Sequence, residues 1–197
     1  MTVVQAAGVS SLTPGLTPTF GTVTRTADGF TVPISNYDAA YGWAVSTSAG
    51  VASISGSVVT VSGLAAGASA TVTVTSTRSG YSSGSAASTG QALSTQVVTW
   101  APTTAVTVPA SPLTPSSSAT ALGGAVVSYA VTSAGSTGCT VDSVTGVLTY
   151  SAVGSCVVRA SAAATSAYAA GVRDVTFTVA NAAAGLTWSP TTALVAT

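Results

Sequence analysis

The chain contains no lysine, no glutamate and no histidine; its charge rests on four Arg and four Asp and sums to zero. Charged residues make up 4% of it, against about 25% in an ordinary soluble domain. Each absence removes a class of function. Without His or Glu, most general acid–base chemistry has no carrier. A Ser–His triad is excluded, and without Lys so are a Ser–Lys pair and a lysine-derived isopeptide cross-link. Four Arg (Arg25, Arg78, Arg159, Arg173) at zero net charge cannot follow a phosphate backbone, which argues against nucleic acid as a partner. Two Cys and no His do not close an ordinary zinc site. These gaps predict a protein that is not an enzyme, with no catalytic residues, no cofactor and no metal.

Two further absences bear on the membrane. No apolar run reaches the ~18 residues of a transmembrane helix. Three Trp, six Tyr and three Phe, mostly isolated, do not supply the two aromatic girdles of a transmembrane β-barrel. No membrane insertion is expected. The opening Met1-Thr-Val-Val-Gln has neither the basic nor the apolar region of a signal peptide, and the segment is read as a piece of a longer chain.

What the sequence does hold is small and β-prone: 150 of its 197 residues are Ala, Thr, Ser, Val or Gly. Abundant Val with little charge is the reverse of the disordered signature, and Val and Thr favour strands. Alternating stretches such as Thr71-Val-Thr-Val-Thr, punctuated by Gly, Ser, Asn and Asp, predict strands throughout. The expected strands are 19–26, 29–35, 40–45, 51–54, 58–62, 70–78 and 86–93, then 97–100, 105–108, 118–122, 126–132, 140–142, 147–151, 156–160 and 175–179. No segment shows a helical period, and the Ala-rich 162–170 is read as turn or loop. The run Pro109-Ala-Ser-Pro-Leu-Thr-Pro115 lacks ladder donors and reads as an edge or a switch between sheets.

An internal echo sets the organisation. Val98-Thr-Trp-Ala-Pro-Thr-Thr-Ala-Val106 returns as Leu186-Thr-Trp-Ser-Pro-Thr-Thr-Ala-Leu194, 88 residues later, with six of nine positions identical. A period near 90 with many short strands is the size of one β-sandwich. The predicted architecture is therefore all-β, two tandem Ig-like antiparallel sandwiches. Residues 1–15 are assigned to a preceding repeat or linker, 16–96 to the first sandwich, 97–184 to the second, and 185–197 to the first strand of a truncated third.

Phe30-Thr-Val-Pro-Ile-Ser-Asn-Tyr-Asp-Ala-Ala-Tyr-Gly-Trp43 resembles the B–C region of Ig-like or fibronectin-III-like repeats in very large bacterial surface proteins. Gly138-Cys-Thr-Val-Asp-Ser-Val-Thr-Gly-Val-Leu-Thr-Tyr150 and Gly154-Ser-Cys-Val-Val-Arg159 resemble the same repeats, in which such a hairpin and strand share one domain. The resemblance implies tandem, secreted, adhesin-like modules without catalytic function, on the bacterial surface or outside the cell. In an exported chain Cys139 and Cys156 read as a disulfide, the alternative being two unrelated buried thiols.

The remaining candidates are few. Tyr41, Trp43 and Val45 share one face of an alternating strand, and Trp43 is expected in the core, as in the C strand of a sandwich; an exposed sugar-stacking platform is the other reading. Trp100 and Trp188 open their repeats and would cap a core or a junction. Tyr37, Tyr81 and Tyr168 fall at turns and are the candidate surface contacts. Asp28, Asp38, Asp142 and Asp174 stand singly, so turn-closing hydrogen bonds are preferred to calcium ligation, which wants six to eight oxygens. The expected role is a structural spacer or adhesion segment whose partners are neighbouring repeats, copies of itself or surface glycans. Two alternatives are kept: a filament subunit assembling by strand addition, since uncharged edges do not block pairing, and a carbohydrate-binding module using exposed Tyr.

Overall fold

The computed structural model of the chain describes residues 12–108 and 111–182. The expectations for 1–11, for Pro109 and Ala110, and for the echo at 186–197 with Trp188 lie outside the described residues. Those described form fifteen strands and no helix, and the chain divides into two compact units. It is an all-β protein of two tandem Ig-like sandwiches.

The first unit runs to Gln96 and includes Ala164–Ala170. Its strands are β1 (Thr24–Thr26), β2 (Gly29–Pro33), β3 (Gly42–Thr47), β4 (Val51–Ser55), β5 (Val58–Ser62), β6 (Ser69–Thr77) and β7 (Gly84–Gln91). One sheet has the order β1-β2-β5-β4 and the other β3-β6-β7, which is the strand order of a seven-stranded immunoglobulin sandwich. The alternation of β6 shows how the sequence produces this. Ala70, Val72, Val74 and Ser76 are buried while Thr71, Thr73 and Thr75 stay half-exposed, as a period of two dictates. The Ser76 hydroxyl, inside the core, donates to the carbonyl of Leu16. Between β4 and β5, Ser55 pairs with Val58 across Gly56-Ser57, with Gly56 at φ +55°; Gly belongs at the first position of such a two-residue turn.

The core of this unit is Phe30, Val32, Ile34, Val59, Val61, Val72 and Val74 with Leu64, Ala70 and Ala92. Phe30 is fully buried and fits because Gly90 on β7 has no side chain: a Cβ there would fall inside van der Waals contact of the ring.

The second unit holds β8 (Val98–Thr99), β9 (Ala105–Val108), β10 (Thr120–Ala121), β11 (Val127–Ser133), β12 (Thr140–Val141), β13 (Leu148–Thr149), β14 (Gly154–Ala162) and β15 (Gly171–Asn181). Its larger sheet runs β11-β14-β15-β9, with β9 parallel to β15. Facing strands are reduced to two short pairs, β10-β8 and β12-β13. Past β9 the chain leaves the larger sheet, and Leu113 exchanges two backbone hydrogen bonds with Leu148 of β13. The core is built on Trp100, whose ring centroid lies 5.1 Å from Tyr129 and 5.7 Å from Phe177, with Leu148, Val158 and Cys156 fully buried. Trp100 is buried, and its Nε1 donates to the Ser117 carbonyl at 3.0 Å, so its polar edge is satisfied.

Three placements depart from the sequence reading. The first sandwich includes residues before Leu16: Thr13 bridges Tyr81 in parallel, and the Gly15 amide donates to Ser82 Oγ at 3.0 Å. Ala164–Ala170, read as part of the second sandwich, belongs to the first unit, where the Ser94 amide donates to Ala167 O and the Ala169 amide to Ser94 O, both at 2.9 Å. Trp43, expected in the core, is half-buried and packs only on the core's edge.

Candidate functional site

The connection from β2 to β3 and the turn from β6 to β7 lie at the same end of the first sandwich, because Gly42 pairs with Thr77 and Ser76 with Gly84. That shared end gathers four aromatic rings and one guanidinium.

The β2–β3 connection is shaped by Asp38. Its carboxylate accepts the Ala40 amide at 2.8 Å, while its carbonyl accepts Trp43 Nε1 at 3.0 Å and the Tyr41 amide at 3.1 Å. This side-chain turn lays Tyr37 on the indole of Trp43, with centroids 5.4 Å apart and planes 22° from parallel. Tyr41 is thereby turned the other way, toward Tyr81, at 6.0 Å and edge-on. In the β6–β7 turn the Tyr81 amide donates to the Arg78 carbonyl at 3.1 Å, and Gly80 takes φ +83°, a conformation that suits Gly.

Arg78 lies against both tyrosines. Its guanidinium carbon is 5.4 Å from the centroid of Tyr41 and 5.0 Å from that of Tyr81, both within cation–π range. Among the described residues the one ion pair is Arg159 with Asp174, so no carboxylate there neutralises Arg78. Beside it opens a groove of about 480 Å³ lined by Ala40, Gly42, Thr77, Arg78, Tyr81 and Ser83 among others. A second groove on this unit, of about 380 Å³, has Arg25 but no aromatic ring in its wall.

Of the three tyrosines singled out from the sequence, Tyr37 and Tyr81 belong to this end. Tyr168 does not: it bridges Ser94, beyond the far end of β7. Tyr41 enters the sequence reading only as a companion of Trp43 on one strand face, and Arg78 has no site reading there. The strand expected at 40–45 put Tyr41 on the core face, whereas β3 begins at Gly42 and leaves Tyr41 in the turn. Arg78 carried a signal, as a lone cation where an alternating strand meets a Ser-Gly-Tyr turn.

The four Asp are spent locally. Asp28 accepts the Thr26 hydroxyl at 3.3 Å. The carboxylate of Asp142 accepts the amide of Thr145 (2.7 Å), its hydroxyl (2.8 Å) and the Val144 amide (3.0 Å), and these bonds hold its pKa below the ordinary carboxylate value, the Thr145 amide first. Asp174 binds Arg159 through both oxygens, at 2.7 and 2.8 Å. The hydrogen bond from Arg159 is the leading cause of its lowered pKa, as Asp174 is of the raised pKa of Arg159. In the second unit Cys139 and Cys156 are joined by a disulfide with Cα atoms 6.3 Å apart.

The chain matches no protein-family model and no curated protein. Among solved structures it is similar to the protocadherin gammaB7 EC3-6 cis-dimer (16% identity, TM-score 0.32, 87% of this chain and 51% of that one). It is also similar to EC21-23 of human CDH23 (13% identity, TM-score 0.28, 87% of this chain and 65% of that one). The chain thus spans less than two thirds of either relative.

Proposed function

We propose that the chain is a non-enzymatic spacer and adhesion segment of an extracellular bacterial repeat protein. The observation that carries this reading is the construction of both units as Ig-like sandwiches, joined to a sequence echo in which the opening of the second, Val98–Val106, returns 88 residues later at Leu186–Leu194. Near-neutral, hydroxyl-rich surfaces limit charge-driven contact, and stacked repeats give reach. Disulfide-bonded Cys139 and Cys156 suit an oxidising compartment. Partners are neighbouring repeats or copies of the chain.

Force extension of the whole chain tests it. Two separate unfolding events, each releasing at most about 300 Å for some 85 residues at ~3.5 Å per residue, are expected of two mechanically independent spacers. A single event, or continuous yielding at low force, would overturn the reading.

A second reading, a filament subunit, is favoured by the sheet edges. Of the edge strands of the three larger sheets, β3, β4, β7, β9 and β11 carry no charged residue and β1 alone carries one, Arg25; Val51 at the start of β4 is 68% exposed. Charge is the usual barrier to edge pairing. Filaments in micrographs of the purified chain would favour assembly, and a monomer in sedimentation would exclude it.

A further inference from the structure

We infer that the Arg78–Tyr81 groove of the first sandwich is a binding site for a carboxylate-bearing sugar. A guanidinium offers five N–H donors in its plane. Tyr41 and Tyr81 flank that of Arg78 at cation–π distance, and among the described residues its N–H groups make no hydrogen bond and no ion pair. An edge of parallel N–H groups is the natural partner of a carboxylate, which it takes by two hydrogen bonds.

The rest of the groove selects what carries the carboxylate. Tyr81 lines it and offers an amphipathic ring to the C–H face of a pyranose, while Thr77, Ser79 and Ser83 bring hydroxyls to its rim. A volume of about 480 Å³ falls in the range of small-ligand sites and suits one or two sugar rings. One cation is too few for nucleic acid, and a wall of hydroxyls and one ring is too polar for a lipid tail. The β2–β3 and β6–β7 connections correspond to two of the loops with which variable immunoglobulin domains bind. Arg78 and Tyr81 are assigned to contact the ligand. Tyr41, which does not line the groove, is assigned to position Arg78.

The test titrates the ¹⁵N-labelled whole chain with sialyllactose and with a glucuronate-terminated disaccharide, each against its neutral counterpart. The acidic sugars are expected to shift the amides of residues 40–42 and 77–83, and the neutral ones to leave them in place. Arg78→Gln should weaken binding at least tenfold and Arg78→Lys less; Tyr81→Ala should weaken it severalfold and Tyr81→Phe should restore it. Arg78 is exposed, so an unchanged melting curve shows that each variant still folds. Equal shifts from neutral sugars, undiminished binding by Arg78→Gln, or no shift from either acidic sugar would overturn the inference. So would tighter binding of an acidic peptide at the same amides, which would make the site a protein contact. None of these outcomes touches the spacer reading, which rests on the two sandwiches.

Discussion

Gly90 of β7 faces the ring of Phe30 of β2, so the largest side chain in the first core is accommodated by the smallest residue on the opposite sheet. Gly90→Ala should cost about 1–3 kcal/mol, the range for overpacking a filled core, and Gly90→Val more. Urea unfolding checks this, with the first unit's transition moving and the second's staying. A neutral Gly90→Ala would mean that Phe30 can move aside.

Trp100 and Trp43 should respond unequally to truncation. Trp100→Ala removes a buried indole between Tyr129 and Phe177 and strips the Ser117 carbonyl of its donor; about 3–5 kcal/mol is expected. Trp43→Ala removes a half-buried ring covered by Tyr37 and should cost about 1 kcal/mol, the middle of ordinary substitutions. Paired denaturation curves of the two variants decide it.

The Cys139–Cys156 bond closes a separation of 17 residues. Under force those residues cannot extend until the bond is cut, so reduction should lengthen the second unit's unfolding step by about 60 Å at ~3.5 Å per residue. At equilibrium the loss should approach about 3 kcal/mol in the chain-entropy account. The first unit, which has no Cys, should not change. Equal step lengths with and without reductant would show that the thiols are not paired.

Acid should weaken the second unit. Asp142 and Asp174 have folded pKa values held below their ordinary 3.8 by hydrogen bonds from Thr145 and Arg159 respectively. The unfolded chain therefore binds protons first as pH falls, and the stabilisation present above about pH 4 is lost through the lowered folded values. Arg159, its pKa raised further, stays charged throughout and adds no slope. With no His and both Cys bonded, stability should be level from about pH 5 to 8. Melting temperatures read from pH 2 to 8 check this, and Asp142→Asn should flatten the acid limb.

Much of the architecture was legible from residue order. Alternating Val and Thr mark β6 because sidedness in a strand is a local property with a period of two, and Asp142 closes its turn with residues two and three positions away. The absence of His, Lys and Glu is likewise plain from composition, whereas two Cys in the sequence left open a disulfide or two separate thiols. Only the tertiary structure decided that Trp100 takes the centre of a core while Trp43 stays at the rim. It also drew Tyr41 to Arg78 and Tyr81, across some 40 residues, and left Tyr168 elsewhere. The reason is that such convergence depends on which strands pair, in what register, and where a strand starts. Beginning β3 at Gly42, after Tyr41, frees that ring for the turn, and no local pattern in the sequence reports it.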